Sequence, residues 1–273
     1  MPNGVSVVIP AWNEERRIGS SLEKYIAALR GTGSPYEIVV VIDGVTDRTA
    51  EVSRSYASQN VRVLQFDHRL GKGGALTVGL LDAKYSIVGY LDADSPISSE
   101  DIQKLINAIG STDVAIASRR LRTSVATGGI PLSRRLFRVS FNALTRGVLG
   151  LPLTDTQCGA KFFRADALQH VLPLTMLRGW AFDAAILFQL RTAGYRIQEI
   201  PVTWGHSSES KLPLAEQVPV MFLSVFFIRL VNIHFVNRLP KKWTWWFART
   251  FMKRVPGPNR PTQETPPPDG NDN

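Results

Sequence analysis

At 273 residues the chain is long enough for one large α/β domain or two small ones, and its 44% hydrophobic share is that of a globular protein. Its single cysteine, Cys158, excludes an intramolecular disulfide and suits a reducing compartment or a thiol used only in packing. Formal net charge is +9, yet residues 217–263 hold eight bases and no acid, which leaves 24 bases against 23 acids elsewhere: the body is near neutral and the C-terminal segment is basic.

The first residues, MPNGVSVVIPAWNEE, carry no basic leader, and their apolar run is interrupted by Pro10, so no signal peptide is expected. Residues 5–11 read as a strand. Residues 14–31 read as a helix with Ile18, Leu22, Tyr25, Ile26 and Leu29 on one face, stopped by Gly31 and Gly33. Strand (36–43), helix (47–59), strand (61–66), helix (71–83), strand (86–94), helix (98–110, capped by Ser98 or Ser99) and strand (113–118) follow. The strands are apolar with little polar alternation, which predicts a sheet covered on both faces: a doubly wound, mostly parallel α/β domain whose ligands lie beyond the strands' C-terminal ends.

Polar groups crowd those ends: Asn13 and Glu14, then Asp43, Asp67, the pair Asp92 and Asp94, and Arg119 with Arg120. In an extended chain Asp92 and Asp94 share a face and repel each other unless a cation sits between them. Mg²⁺ or Mn²⁺ held by one or two carboxylates plus substrate phosphates would answer that repulsion; the alternative is a solvated turn. Asp43 suits hydrogen bonding to a nucleoside, or a plain Asp-Gly turn. The stretch RLGKGGA (69–75) enters a helix where free N–H groups favour anions, with Lys72 as the contact candidate. Arg119/Arg120 and Arg134/Arg135 suit a phosphorylated acceptor, or solvated surface. Trp180 and Asp183 suit a sugar pocket, and Trp180 equally a core. The four histidines form no zinc pattern, and no nucleophilic triad is visible.

Residues 121–212 are less regular: a basic helix at 133–150, then TDTQCGAKFFR, GWAFDAAILFQLRTAGY, IQEIPVTW and the polar loop GHSSESK. They read as the acceptor-side half (121–212) of the domain whose first 120 residues hold the nucleotide, giving one unit over 1–212. An apolar helix and the basic aromatic run KKWTWWFARTFMKR form a segment over 213–255 suited to a membrane surface, and 256–273 read as a disordered tail. Pro219–Val236 is short for a span and carries Arg229, so an interfacial helix is expected, the alternative being a helix packed on the domain.

The ordered series VVIPAWNEE, VIDGVTD, GKGGA, DAD, ASRR, DTQCGAKFF, GWAFD and ESKL resembles the inverting family 2 glycosyltransferases with a GT-A fold, in particular the polyprenyl-phosphate (dolichyl-phosphate) hexose synthases of the glucosyl branch. The resemblance covers roughly residues 4–231. It implies a nucleotide-sugar site at Pro10, Ala11, Asn13, Glu14, Asp43, Lys72, Asp92, Ala93 and Asp94, with the metal at Asp94 and Asp92 and Asp94 as the direct ligand. It implies catalytic work by Asp92, Asp94, Arg119 and Arg134, and acceptor or sugar contacts by Gln157, Trp180, Asp183, Ser210 and Lys211. Departures from the family pattern are Ile42 where an acid is frequent, Arg69 where Asn is frequent and Glu209 where Gly is frequent.

The implied reaction is metal-dependent transfer of a hexose, glucose from UDP-glucose first, to a polyprenyl phosphate with inversion, at the cytoplasmic face of a membrane. The alternatives are a GDP-mannose donor, a soluble acceptor, or a membrane- or RNA-binding module with an inert pocket. No nucleic-acid motif is present, so no nucleic acid is expected as a partner.

Overall fold

The computed structural model describes residues 1–94, 97–127, 132–175, 179, 181–205 and 214–232. Nine strands are present among them: β1 Val5–Ala11, β2 Tyr36–Asp43, β3 Val61–Phe66, β4 Ile87–Leu91, β5 Val114–Ser118, β6 Val125–Thr127, β7 Ala160–Arg164, β8 Ile197–Pro201 and β9 Thr203–Gly205. The helices are α1 Ile18–Arg30, α2 Thr49–Arg54, α3 Lys72–Leu81, α4 Ser99–Ala108, α5 Leu132–Leu149, α6 Ala165–Val171, α7 Phe182–Thr192 and α8 Leu214–Val231.

Seven strands form one sheet in the order β3-β2-β1-β4-β7-β5-β8, and β6 pairs with β9 in a separate two-stranded ribbon. The first four strands run parallel, with Val5 opposite Tyr36 on one side and Ile87 on the other. Successive residues feed opposite faces. Val8, Val39 and Val41 join the core under α3 and α5–α8, while Val7, Ile9, Ile38, Val40 and Ile42 join the core under α1 and α4. That double coverage is why β1 and β2 show little polar alternation. Helix α3 lies close to the sheet because Gly79 has no side chain: a Cβ there would stand 2.9 Å from Val41 Cγ2 and press on Val8.

The mostly parallel sheet and its flanking helices agree with the sequence expectation, with three differences. Strand β4 ends at Leu91, so Asp92 and Asp94 occupy its exit turn rather than the strand itself. The helix expected over 47–59 is shorter, α2 followed by a 3₁₀ turn at Ala57–Gln59. The stretch AKFFR, placed among irregular segments, is β7, an antiparallel strand inserted between β4 and β5. Gly89 of β4 faces Phe162 of β7, and a Cβ on Gly89 would overlap the Phe162 ring. Ser98 caps α4 by accepting from the Asp101 amide at 3.1 Å.

Helix α8 packs its Met221, Val225 and Ile228 face into the core, with Phe222 against Phe137 and Phe141 of α5. Each such buried side chain stabilises the packing by about 1.5–3 kcal/mol. Its other face exposes Val220, Leu223, Phe226 and Leu230. The helix is therefore packed on the domain and apolar outward at once. Among the described residues no helix is long and apolar enough to cross a membrane. Residues 233–236, the basic aromatic run and the tail lie outside the described residues.

Candidate active site

The exits of β1 and β2 are tied together. Asn13, at φ 53° in the left-handed region that Asn tolerates, accepts the Thr46 amide on Oδ1 at 2.9 Å and donates to Thr46 Oγ1 at 3.2 Å. The Glu14 amide donates to Thr49 Oγ1 at 2.7 Å. Pro10 is half-buried and Ala11 buried at the end of β1. Asp43, 4% exposed, accepts the backbone amides of Leu70 and of Gly71 (3.1 Å) and pairs with Arg69 Nε at 3.4 Å. Arg69 in turn lies 3.9 Å over the Trp12 ring. Asp43 thus fixes the glycine-rich turn before α3, where Gly71 takes φ 76°.

The exit of β4 is pinned from α1: Tyr25 donates to the Asp92 carbonyl at 2.7 Å and Ser21 to the Ala93 carbonyl at 2.6 Å. The Asp92 amide donates to the Gly159 carbonyl at 2.9 Å, and the Asp92 carboxylate lies so close to Gly159 that a Cβ there would overlap it. Lys72 bridges two acids, 2.9 Å from Asp92 and 3.3 Å from Asp183. Asp183, at the start of α7, also accepts from Lys161 Nζ and from the Tyr90 hydroxyl, both at 2.5 Å. Lys161 completes its shell with the Cys158 carbonyl at 2.6 Å.

This chain, Asp92–Lys72–Asp183–Lys161, runs from the half-buried Asp92 into the interior. Burial would raise the Asp183 pKa, but Lys161 and Lys72 outweigh it and hold the carboxyl down at about 2. Asp92 differs: burial and the neighbouring Asp94 and Asp183 charges raise its pKa, and Lys72 offsets only part of this. The Asp94 charge is one of the causes of that rise, after burial. Asp94 meets a cation of its own, Arg17 Nη1 at 3.4 Å, while Arg17 holds Glu14 at 2.6 Å.

Beyond β5, Arg119 forms a two-point pair with Asp155, Nε to Oδ2 at 2.6 Å and Nη2 to Oδ1 at 2.9 Å. Arg119 is partly buried there, and its charge keeps the Asp155 carboxyl below its ordinary value despite burial. Glu199 accepts the Thr154 and Asp155 amides. Within this braced loop Gln157 Nε2 and Thr156 Oγ1 are buried with no hydrogen-bond partner among the described residues. Cys158 is buried, which pushes its thiol up to about 11, in keeping with a packing role.

The fold thus brings Lys72, Asp92 and Asp183 into direct contact and Glu14 to Asp94 through Arg17; Asp43 joins them only by way of the loop before α3. Arg120 and Arg135 are exposed. Arg134 falls on α5, but its side chain is outside the described residues, as are Trp180, Ser210 and Lys211. Sequence reasoning passed over Arg17, Trp12, Tyr90, Asp155 and Lys161. A lysine inside the apolar run AKFF was a usable signal, because a lysine in such a strand needs an acid.

Among the described residues no group of three or more His, Cys, Asp or Glu side chains converges as a metal site. Two carboxylates, one of them (Asp94) a third exposed, are a donor set of hard oxygens that fits Mg²⁺ or Mn²⁺ bound jointly with phosphate oxygens.

The fold is that of a glycosyltransferase, and the chain belongs to glycosyl transferase family 2, whose model matches residues 6–172. It is 32% identical over 260 residues to the dolichyl-phosphate β-glucosyltransferase of Saccharomyces cerevisiae, covering 87% of this chain and 78% of that one. The dolichyl-phosphate β-glucosyltransferase of Homo sapiens is 28% identical over 242 residues, 83% of this chain and 75% of that one. In fold it is similar to glucosyl-3-phosphoglycerate synthase of Mycobacterium tuberculosis, solved with Mn²⁺, UDP and phosphoglyceric acid: TM-score 0.61 at 21% identity, covering 84% and 78% of the two chains.

Proposed function

We propose that this glycosyltransferase transfers glucose from UDP-glucose to a polyprenyl phosphate, with inversion, at the cytoplasmic face of a membrane. The observation that carries the reading is the β4 exit turn, where Asp94 stays a third exposed and Asp92 is locked to Lys72. That pairing supports a division of labour: Asp94 as metal ligand, Asp92 as the fixed acid between metal and nucleoside. Mg²⁺ or Mn²⁺ held by Asp94, with Asp92 beside it, would stabilise the charge on the departing diphosphate. Asn13, Glu14, Asp43, Pro10, Ala11, Lys72 and Ala93 frame the donor in this reading, with Asp43 acting through the loop it holds.

The acceptor half of the proposal rests on the names of the relatives and on two features of this chain. Asp183 is locked between Lys161, Lys72 and Tyr90 at a pKa of about 2, so it is a poor general base. A phosphate oxygen is already anionic at neutral pH and needs none; in-line positioning and charge stabilisation suffice. The second feature is the outward apolar stripe of α8, beside which the neighbouring α5 exposes Leu136 and Val139, which suits a bilayer surface. Gln157, Arg119, Arg134, Trp180, Ser210 and Lys211 complete the acceptor side in this reading. The one cysteine, incapable of an intramolecular disulfide, suits a reducing compartment.

A panel of labelled donors tests the proposal. With Mg²⁺ or Mn²⁺ and polyprenyl phosphate, UDP-glucose should place label in the organic phase and GDP-mannose should not. Label from GDP-mannose alone, or transfer only to a water-soluble phosphate, would overturn it.

A further inference from the structure

The two acids of the β4 exit are neutralised in different ways. Asp92 faces Lys72, whose ammonium is enclosed between Asp92 and Asp183 and has little freedom to leave. Asp94 faces Arg17 across a long contact, Nη1 to Oδ2 at 3.4 Å. The firm hold on Arg17 is elsewhere. Its Nε and Nη2 grip one oxygen of Glu14 at 2.8 and 2.6 Å, one turn along at the entry to α1. The guanidinium is thus anchored by Glu14 and extends Nη1 to Asp94.

We propose that Arg17 is a built-in counter-charge that occupies Asp94 until a divalent cation arrives, and that it makes metal binding depend on the nucleotide diphosphate. The inference rests on the metal reading of Asp94 given above. A bare divalent cation approaching Asp94 meets a fixed positive charge within a few ångströms, which opposes it. A cation arriving with a diphosphate brings its own compensating negative charge. Arg17, displaced from Asp94 yet still held by Glu14, then faces that diphosphate instead of repelling its metal. Weakening one long, partly exposed ion pair and removing one nearby charge should change affinity by about three- to tenfold.

The test is Mn²⁺ binding by electron paramagnetic resonance of the free ion, with and without UDP, for the full chain and for Arg17→Gln, Arg17→Met and Arg17→Lys. Thermal melting identifies any variant that fails to fold, and the two neutral variants back each other. The proposal expects both neutral variants to bind Mn²⁺ without UDP about three- to tenfold more tightly than the parent, and the gain from adding UDP to shrink. Arg17→Lys, which keeps the charge, should stay near the parent in the absence of UDP. Unchanged or weaker Mn²⁺ binding by the neutral variants without UDP would overturn it. If the parent binds no Mn²⁺ even with UDP, and Asp94→Asn changes nothing, the metal reading itself fails and the proposal with it.

Discussion

Lys161 Nζ lies 2.5 Å from an Asp183 carboxylate oxygen, with both side chains almost wholly shut off from water. Strand β7 and helix α7 are joined there by an ion pair, and Lys72 carries the same charge chain on to Asp92. Removing one partner of such a pair costs about 3–5 kcal/mol when the other is left uncompensated, and here Lys72 still faces Asp183, which places the loss towards the lower end. Lys161→Ala should therefore lower stability by about that amount in urea unfolding. A loss below about 1 kcal/mol would show that water reaches Asp183.

Asp183 also sets an acid limit. Its folded pKa of about 2 lies below the ordinary 3.8, so its contribution is fully present above 3.8 and is lost as pH falls towards 2. Lys161→Met, which takes away one of its two cations, should shrink the fall in unfolding free energy between about pH 4 and pH 2.5 relative to the parent. Equal slopes would place the titration elsewhere.

Gly159 offers a test of the site that leaves every charge in place. A methyl group at this position would overlap the Asp92 carboxylate. Gly159→Ala should reduce glycosyl transfer at least tenfold by displacing Asp92 from Lys72. Steady-state kinetics checks this, and unchanged kcat and KM would show that Asp92 tolerates another position.

The stripe on α8 makes a separable prediction. Leu223 and Phe226 are 55% and 48% exposed and point away from the core face of Met221, Val225 and Ile228. Leu223→Glu combined with Phe226→Glu should lower co-flotation with anionic phospholipid vesicles several-fold while leaving the melting temperature within a few degrees. Undiminished flotation would assign membrane contact to other residues.

Local chemistry made much of the fold legible. Strands β1, β2 and β3 fall on the residues that the apolar runs at 5–11, 36–43 and 61–66 indicate, because each run is bounded by breakers and β1 and β2 are buried on both faces. The cap of α4, narrowed to Ser98 or Ser99, and the family were equally readable, the latter from an ordered series of short motifs. Strand β7 was not, because its place depends on a distant vacancy: Phe162 fits where Gly89, 73 positions earlier, has no side chain. The Lys161–Asp183 pair was hidden for the same reason, since its partners come from different segments. The motif DAD shows two acids, whereas the cations that meet them, Lys72 and Arg17, are 20 and 77 residues away. Spacing along the chain carries no trace of such pairings.

The central claim is that Asp94, at the exit of β4, holds the metal that serves transfer of glucose to a lipid phosphate. Its most direct test is the yield of labelled organic-phase glycolipid from UDP-glucose and polyprenyl phosphate with Mn²⁺, compared between the parent and Asp94→Asn after matched folding checks. The account predicts β-linked product from the parent and a loss of about a hundredfold or more in the variant. Equal yields from the two proteins would contradict it.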